Sequence, residues 1–464
     1  MTATFQKSFR EHVADLPQLG GGVHYSKSAD RLRRLMRESP LRLTDLRDEP
    51  ERFFLAHRIM SEFATTIGPG FSIRFTVQVN LFAGTVLALG NPSQVDSLKS
   101  FQEQGKLGCF CLTERLAGVN SGLVVNTTCV WDDAKEVFVL NCADEGAKKN
   151  WISQGLTADA AVVIANLIVQ GKPRGPHAFL MTLRESGKPV AGVTFEDMGE
   201  KTIGNDLDNA RISFDSVQLP KTALLDRYAT IEGGKYSQRQ AGVANMDMIG
   251  QRLYTGRAVI AASTLVFSRC LYNTARGYAD NKSCWQPDGA ITLSDVPQLA
   301  SLYLEADREL SRCERLRDAV ELRLCECLRA GSVPANDLVQ MIAVFKVRAV
   351  ETSIAMCFKL KQELGSYALM GGTGFDKLDY LQCCKFAEGD SRILMQKIAR
   401  DRLQEFKKQA SGSKAEVETC MALGQALVKG GKTAWNENWI QVYKLADLVA
   451  DRVMSDTAGP SSKL

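Results

Sequence analysis

The chain has 464 residues, too many for one compact core, so about two or three domains are expected. Its residues are 45% hydrophobic and 24% charged, a globular balance that excludes wholesale disorder. The formal net charge of +4 is small and scattered; it gives no case for a nucleic-acid partner and would suit an anionic ligand without specifying one.

The first hundred residues read as helical. Gly20-Gly21-Gly22 does not follow a strand in a G-x-G-x-x-G frame, so no dinucleotide fold of that type is expected. Asp30 to Arg37 is a strongly basic helical stretch. From Glu51 to Thr66, Phe53, Phe54, His57, Met60, Phe63 and Ala64 recur at three- and four-residue intervals, the period of an amphipathic helix. His57 falls on its apolar side and is expected in the core, not in catalysis. After Asn91-Pro92, Ser93 is the expected cap of a helix running to about Gln104.

From Gly108 to about Pro220 the pattern shortens. Leu123-Val124-Val125, Thr127 to Trp131, Val137 to Leu140, Ala161 to Val169, His177 to Leu183 and Ala210 to Phe214 read as strands, with Asp132 to Lys135 as a turn. These spacings predict a compact antiparallel barrel or sandwich. No apolar run reaches the ~20 residues of a membrane span; the longest, Ala160 to Val169, includes Asn166. The N-terminus also lacks the apolar core of a secretory signal.

Long helices return from about Asn245. Leu299, Leu302, Tyr303, Ala306, Leu310, Cys313, Leu316, Val320, Leu324 and Leu328 mark one stripe, with Gly331 as its stop. Asn336 is the expected cap of the next helix, which is apolar around much of its circumference to about Leu364 and is therefore expected to be buried. A helical tail, Ala415 to Met454, follows the break at Ala410-Ser411-Gly412-Ser413. The expected layout is α+β: an N-terminal helical domain (1–107), a central antiparallel β-barrel (108–222), a C-terminal helical bundle (240–408) and a helical extension with a targeting tail (409–464).

The 13 cysteines and four histidines show no paired metal-ligand spacing, and no metal is expected. Cys109/Cys111, Cys325/Cys327 and Cys383/Cys384 read as free thiols of a reducing compartment. The chain ends Ser462-Lys463-Leu464, a peroxisomal address read by an import receptor, preceded by a flexible tether at Ala458-Gly459-Pro460-Ser461.

Six segments carry chemistry when taken in order: Gly108 to Glu114, Lys149 to Gly155, Gly175 to Phe179, Leu207 to Ile212, Gly371 to Phe375 and Phe386 to Ser391. Together they resemble the acyl-CoA oxidase and dehydrogenase family over roughly residues 30 to 405. His177-Ala178-Phe179, Asp208-Asn209, Arg227-Tyr228-Ala229 and Glu388-Gly389-Asp390 lean toward the oxidase branch, whose large C-terminal domain has no counterpart here. The resemblance implies FAD, with Trp151 flanking the isoalloxazine and Thr113 and Ser153 bonding its edge. A barrel-core role is the alternative for Trp151. It also implies that Glu388 takes the α proton of an acyl-CoA, while its backbone N–H helps hold the thioester oxygen and Gly389 lets substrate approach the backbone. A helix-start carboxylate is the alternative for Glu388. The Gly371-Gly372 loop would approach the cofactor of a neighbouring subunit in a homodimer, or serve as a plain helix cap and turn. Lys282 stands where the family usually has an arginine facing the FAD pyrophosphate; it keeps the charge without the fork geometry. Ala387 stands where an aromatic residue is common, and Arg115 to Asn120 lacks either branch's glycine pattern.

The expected activity is therefore oxidation of acyl-CoA to 2-enoyl-CoA in fatty-acid β-oxidation, with electrons passed to molecular oxygen as hydrogen peroxide. The alternatives are a dehydrogenase using a protein acceptor, a catalytically altered member acting as a binding or assembly subunit, and a flavoprotein for another small substrate such as a nitroalkane or amine.

Overall fold

The computed structural model describes residues 2–17, 24–64, 68–118, 124–239 and 245–457. The Gly20 to Gly22 run, Leu123, Val119, Asn120, the tether from Ala458 and the terminal Ser462-Lys463-Leu464 lie outside the described residues. The chain forms two compact units, one of Met1–Gly256 with Cys327–Val333, the other of Arg257–Glu326 with Pro334–Leu464.

The first unit opens with seven helices: α1 (Thr2–Ala14), α2 (Tyr25–Glu38), α3 (Asp45–Asp48), α4 (Pro50–Glu62), α5 (Pro69–Thr76), α6 (Ala83–Leu89) and α7 (Pro92–Glu103). His57 on α4 is buried among Phe53 and Phe75, its Nδ1 is 2.8 Å from the Phe53 carbonyl, and burial depresses its pKa to about 4. The cap of α7 is Asn91, not Ser93. Its side chain accepts from the Gln94 N–H at 3.0 Å while its own N–H donates to Gln94 Oε1 at 2.9 Å. Pro92 at the first helical position has no N–H to strand, so the cap falls two places upstream of Ser93, at Asn91.

α5, a π-helical Val77–Phe82 and α6 run end to end through Pro69–Leu89, 21 residues that by length and apolarity could cross a membrane. This corrects the expectation that no run is long enough. The stretch is a core helix here: 83% of its apolar window is buried within the protein. It carries Arg74, fully buried and paired with Asp208 at 2.8 Å.

The β region comprises β1 (Gly108–Cys111), β2 (Thr128–Asp132), β3 (Val137–Asn141), β4 (Lys149–Ser153), β5 (Ala160–Val169), β6 (Lys172–Thr182), β7 (Arg184–Glu185), β8 (Lys188–Pro189), β9 (Val193–Asp197), β10 (Asn209–Phe214), β11 (Val217–Pro220), β12 (Ala229–Glu232) and β13 (Lys235–Gln238). A six-stranded sheet runs β1-β5-β2-β3-β11 with β6 on the other edge of β5; a second has the order β4-β10-β9. Residues of both sheets, among them Trp131, Phe138, Phe179, Ile152, Ile212 and Phe214, form one apolar core. Side chains of β2 and β3 alternate inward and outward, as a sheet with one buried face requires.

The sheet is mixed, not wholly antiparallel. β1 and β2 both pair parallel to β5, with Gly108 opposite Ala160 and Thr128 opposite Asn166. Long connections separate these strands in sequence, and parallel pairing requires such connections where a hairpin cannot serve. Val124 and Val125 are not strand.

Long helices follow: α8 (Asn245–Ala279), α9 (Pro297–Ala330) and α10 (Asn336–Glu363), with a hairpin of β14 (Ser283–Gln286) and β15 (Gly289–Thr292) before α9. The stripe from Leu299 to Leu324 is the buried face of α9, which ends before Gly331 at φ 60°. The cap position of α10 is Ala335, so Asn336 is its first residue and not its cap. α11 (Asp379–Phe386), α12 (Ser391–Lys408), α13 (Lys414–Gly430), α14 (Ala434–Glu437) and α15 (Trp439–Asp456) complete the second unit, where α10, α12 and α15 pack together. All 13 cysteines are free thiols.

Candidate functional site

In the first unit, Thr113 follows β1 and faces solvent, while Glu114 turns inward and is fully buried. Glu114 Oε1 lies 2.8 Å from Lys149 Nζ and accepts from the Thr127 N–H at 2.9 Å and its hydroxyl at 2.7 Å; Oε2 accepts from the Asn126 N–H at 2.6 Å. Its oxygens are satisfied, so it is a structural clamp. The Asn150 N–H donates to the Thr113 carbonyl at 2.9 Å, drawing Thr113 against β4 one residue from Trp151.

Trp151 is 55% exposed, which removes the barrel-core alternative. Its backbone is left-handed at φ 58°, a conformation a bulky residue keeps only when neighbours fix it. Here the Trp151 N–H donates to Met198 Sδ at 3.3 Å, and Gln154, also left-handed, donates to the Gly108 carbonyl at 2.7 Å. Ser153 is half-buried and accepts from Asn209 Nδ2 at 3.1 Å. The sequence-predicted Thr113, Trp151 and Ser153 therefore lie together, Thr113 against the start of β4 and the other two along it, with the indole exposed.

In the second unit, α11 stops at Phe386 and the chain reverses through Glu388 at φ 57° and Gly389 at φ 99°. Asp390 is the cap of α12, its Oδ1 accepting from the Arg392 N–H at 2.7 Å. Glu388 is therefore not the helix-start carboxylate. Its Oε2 is sealed from solvent with no hydrogen-bond partner, although the residue as a whole is half-buried. Burial pushes its pKa up to about 7, against the opposing pull of Arg257 and Lys346. Arg257 Nε donates to the Glu388 carbonyl at 3.2 Å. A Cβ on Gly389 would meet the Arg257 guanidinium at 3.5 Å, so the left-handed backbone more than crowding calls for glycine there.

Gly371 and Gly372 are exposed, Gly372 at φ 81°, with no atom within 4 Å of an added Cβ at either. Nothing in their own chain requires glycine at Gly371, which leaves the loop open to close approach by another molecule. Lys282 is exposed just beyond α8. Tyr278 stacks on Tyr367 with centroids 3.7 Å apart, drawing the α8 end that carries Lys282 toward the segment leading into Gly371.

Sequence reading passed over Arg257 and Lys346. The signal for Lys346 was weak: it stands between Phe345 and Val347 on an apolar stretch of α10, but Arg348 follows two residues later. Among the described residues no cluster of metal-ligating side chains exists.

No family model matches the sequence. The mouse acyl-coenzyme A oxidase-like protein is 26% identical over 382 residues, 79% of this chain and 60% of that protein. The peroxisomal acyl-coenzyme A oxidase 2 of Arabidopsis thaliana is 25% identical over 412 residues, 82% of this chain and 56% of its own. The chain thus spans about three fifths of the length of these curated relatives. The crystal structure of Caenorhabditis elegans acyl-CoA oxidase-2, bound with FAD, ascaroside-CoA and ATP, superposes with a TM-score of 0.80 at 18% identity, over 98% of this chain and 76% of that one. Glutaryl-CoA dehydrogenase of Mycobacterium smegmatis matches with a TM-score of 0.67 at 18% identity, over 89% of this chain and 95% of that one. In sequence the chain is similar to the acyl-CoA oxidases, and its fold is the one shared by acyl-CoA oxidases and acyl-CoA dehydrogenases.

Proposed function

We propose that the protein is an FAD-dependent acyl-CoA oxidase converting acyl-CoA to 2-enoyl-CoA. The observation that carries this reading is the Glu388 carboxylate, one of whose oxygens is sealed without a partner and whose pKa is raised to about 7. A positioned base is most effective when its pKa lies near the working pH. The orphan oxygen is also what a site awaiting an acidic C–H would leave.

The residues fit FAD. In the first unit an exposed indole at Trp151 offers an apolar wall, and Thr113 and Ser153 offer hydroxyls for a ring edge; in the second unit the exposed Lys282 is the cation that the family resemblance assigns to a pyrophosphate. FAD bound there would supply two-electron oxidation of the substrate, with molecular oxygen as the final acceptor. The chain's own task is proton removal. Glu388 takes the α proton on a carboxylate oxygen, while Arg257 holds the Glu388 carbonyl and so fixes the turn. The backbone N–H of Glu388 serves the thioester oxygen, which gains charge as the proton leaves. Gly389 lets the thioester lie against the backbone. The Gly371-Gly372 loop serves a partner's cofactor in a homodimer, and Ser462-Lys463-Leu464 directs import into peroxisomes.

Purified protein is tested for flavin absorbance and then mixed with acyl-CoAs of several chain lengths. Peroxide formed without any protein acceptor supports the oxidase. Flavin that bleaches without peroxide would make it a dehydrogenase instead. A colourless protein that cannot be reconstituted with FAD would overturn the enzymatic reading in favour of a binding or assembly subunit.

A further inference from the structure

Lys346 lies in the middle of α10 and its side chain is completely buried. A lysine ammonium without water must be compensated by hydrogen bonds. Lys346 Nζ donates to the Lys385 carbonyl at 2.6 Å and to Ser391 Oγ at 3.2 Å. Lys385 lies near the end of α11 and buried Ser391 begins α12. One ammonium therefore ties together both ends of the reversal that carries Glu388. Between those ends stand two successive left-handed residues, Glu388 and Gly389. For a glutamate that conformation is unfavourable and persists only when its surroundings over-determine it.

We propose that Lys346 is the positioning residue of Glu388: it clamps the α11–α12 reversal in the strained form that aims the carboxylate, and it places a buried cation on the same side of the turn as Arg257. The proposal rests on the reading of Glu388 as the base. The charged and titratable groups around the reversal are Arg257 from α8, Lys346 and Glu351 from α10, Cys384 and Lys385 from α11, and Asp390 at the start of α12. Lys385 is paired with Glu351 at 2.6 Å, and burial holds the Cys384 thiol protonated, its pKa pushed up to about 12. Burial lowers the Lys346 pKa to about 8, which still leaves it mostly cationic at neutral pH. A cation beside Glu388 favours the carboxylate, so removing it raises the pH at which Glu388 ionises.

The test uses full-length protein in the parent form and as Lys346→Met and Glu388→Gln. Infrared difference titration reads the protonated carboxyl band that is lost in Glu388→Gln, with no substrate present. In Lys346→Met that band should titrate about one pH unit higher, and the acid limb of flavin reduction by acyl-CoA should move with it, a roughly fivefold loss at pH 7. A folded Lys346→Met whose carboxyl titrates as in the parent overturns the proposal. Should Lys346→Met fail to fold, Lys346→Gln, which keeps a donor for the Lys385 carbonyl but drops the charge, must show the same rise, and an unmoved titration there is equally fatal. If the parent flavin is not reduced by acyl-CoA while the titration still moves, the oxidase reading fails and the positioning role stands.

Discussion

At Glu388 one carboxylate oxygen is sealed from solvent without a partner, on a backbone conformation that glutamate ordinarily avoids. Glu388→Gln keeps size and shape but cannot accept a proton, so reduction of bound flavin by acyl-CoA should fall by ~10²–10⁴ while flavin content is retained. Anaerobic stopped-flow mixing, followed by flavin absorbance, reads that step alone; a variant bleaching at the parent rate would remove Glu388 from the role. The same residue shapes stability. Its folded pKa of about 7 lies above the ordinary 4.5, so the protonated form is favoured by folding. That contribution is complete below about pH 4.5 and is lost as pH rises through 7. The Tm of Glu388→Gln minus that of the parent should therefore increase by a few degrees between pH 6 and pH 8, and a difference independent of pH would contradict the buried, protonated carboxyl. Trp151 makes the opposite kind of prediction. Because the indole is over half exposed, Trp151→Ala should lower flavin content markedly and shift apo-protein unfolding by no more than about 0.5 kcal/mol. Chemical denaturation of flavin-free samples checks this, and a large loss of apo stability would return Trp151 to the core.

Among the elements, the central helix with its π segment carries a buried polar network of the first unit. Arg74 on α5 reaches Asp208 at 2.8 Å, Thr157 Oγ1 at 2.8 Å and Gln154 Oε1 at 3.2 Å. This network joins the N-terminal helices to the turn after β4 and to the residue before β10. Arg74→Met leaves the Asp208 carboxylate buried without its cation and should cost about 3–5 kcal/mol. The double variant Arg74→Met with Asp208→Leu should cost clearly less than the two single changes summed, since it removes both charges. Additive losses in urea titrations would show that the pair is not coupled. This network also explains why the elements were legible while their joints were not. The apolar periods of α4 and α9 mark helices because one face is buried whatever lies beyond it. Parallel pairing of β1 and β2 with β5 depends on partners 52 and 38 residues away in sequence, as Gly108 opposite Ala160 and Thr128 opposite Asn166 show, which local alternation does not encode.

For the whole molecule, the oxidase reading includes a homodimer and peroxisomal import. Removing Ser462-Lys463-Leu464 should leave a fluorescently tagged chain in the cytosol, and unchanged import would make the tripeptide incidental. Flavin-loaded protein should sediment as a dimer, with a fully loaded monomer counting against the partner-subunit role of the Gly371 loop. On its own, the sequence determined the order of helical, β and helical regions and the segments around Thr113, Trp151 and Glu388, because periodicity and short motifs are local properties of the chain. It also supplied the resemblance to acyl-CoA oxidases. The tertiary structure alone decided which carboxylate is free. The resemblance pointed to Glu388, but only the folded chain shows why it and not Glu114 is free: Glu114 is saturated by Lys149, Thr127 and Asn126, whereas Glu388 has an oxygen with no partner. It likewise decided that Trp151 faces outward, and that Lys346 turns inward to hold Lys385 and Ser391. Burial and hydrogen-bond satisfaction are sums over residues distant in sequence, and they exist only once the chain has closed on itself.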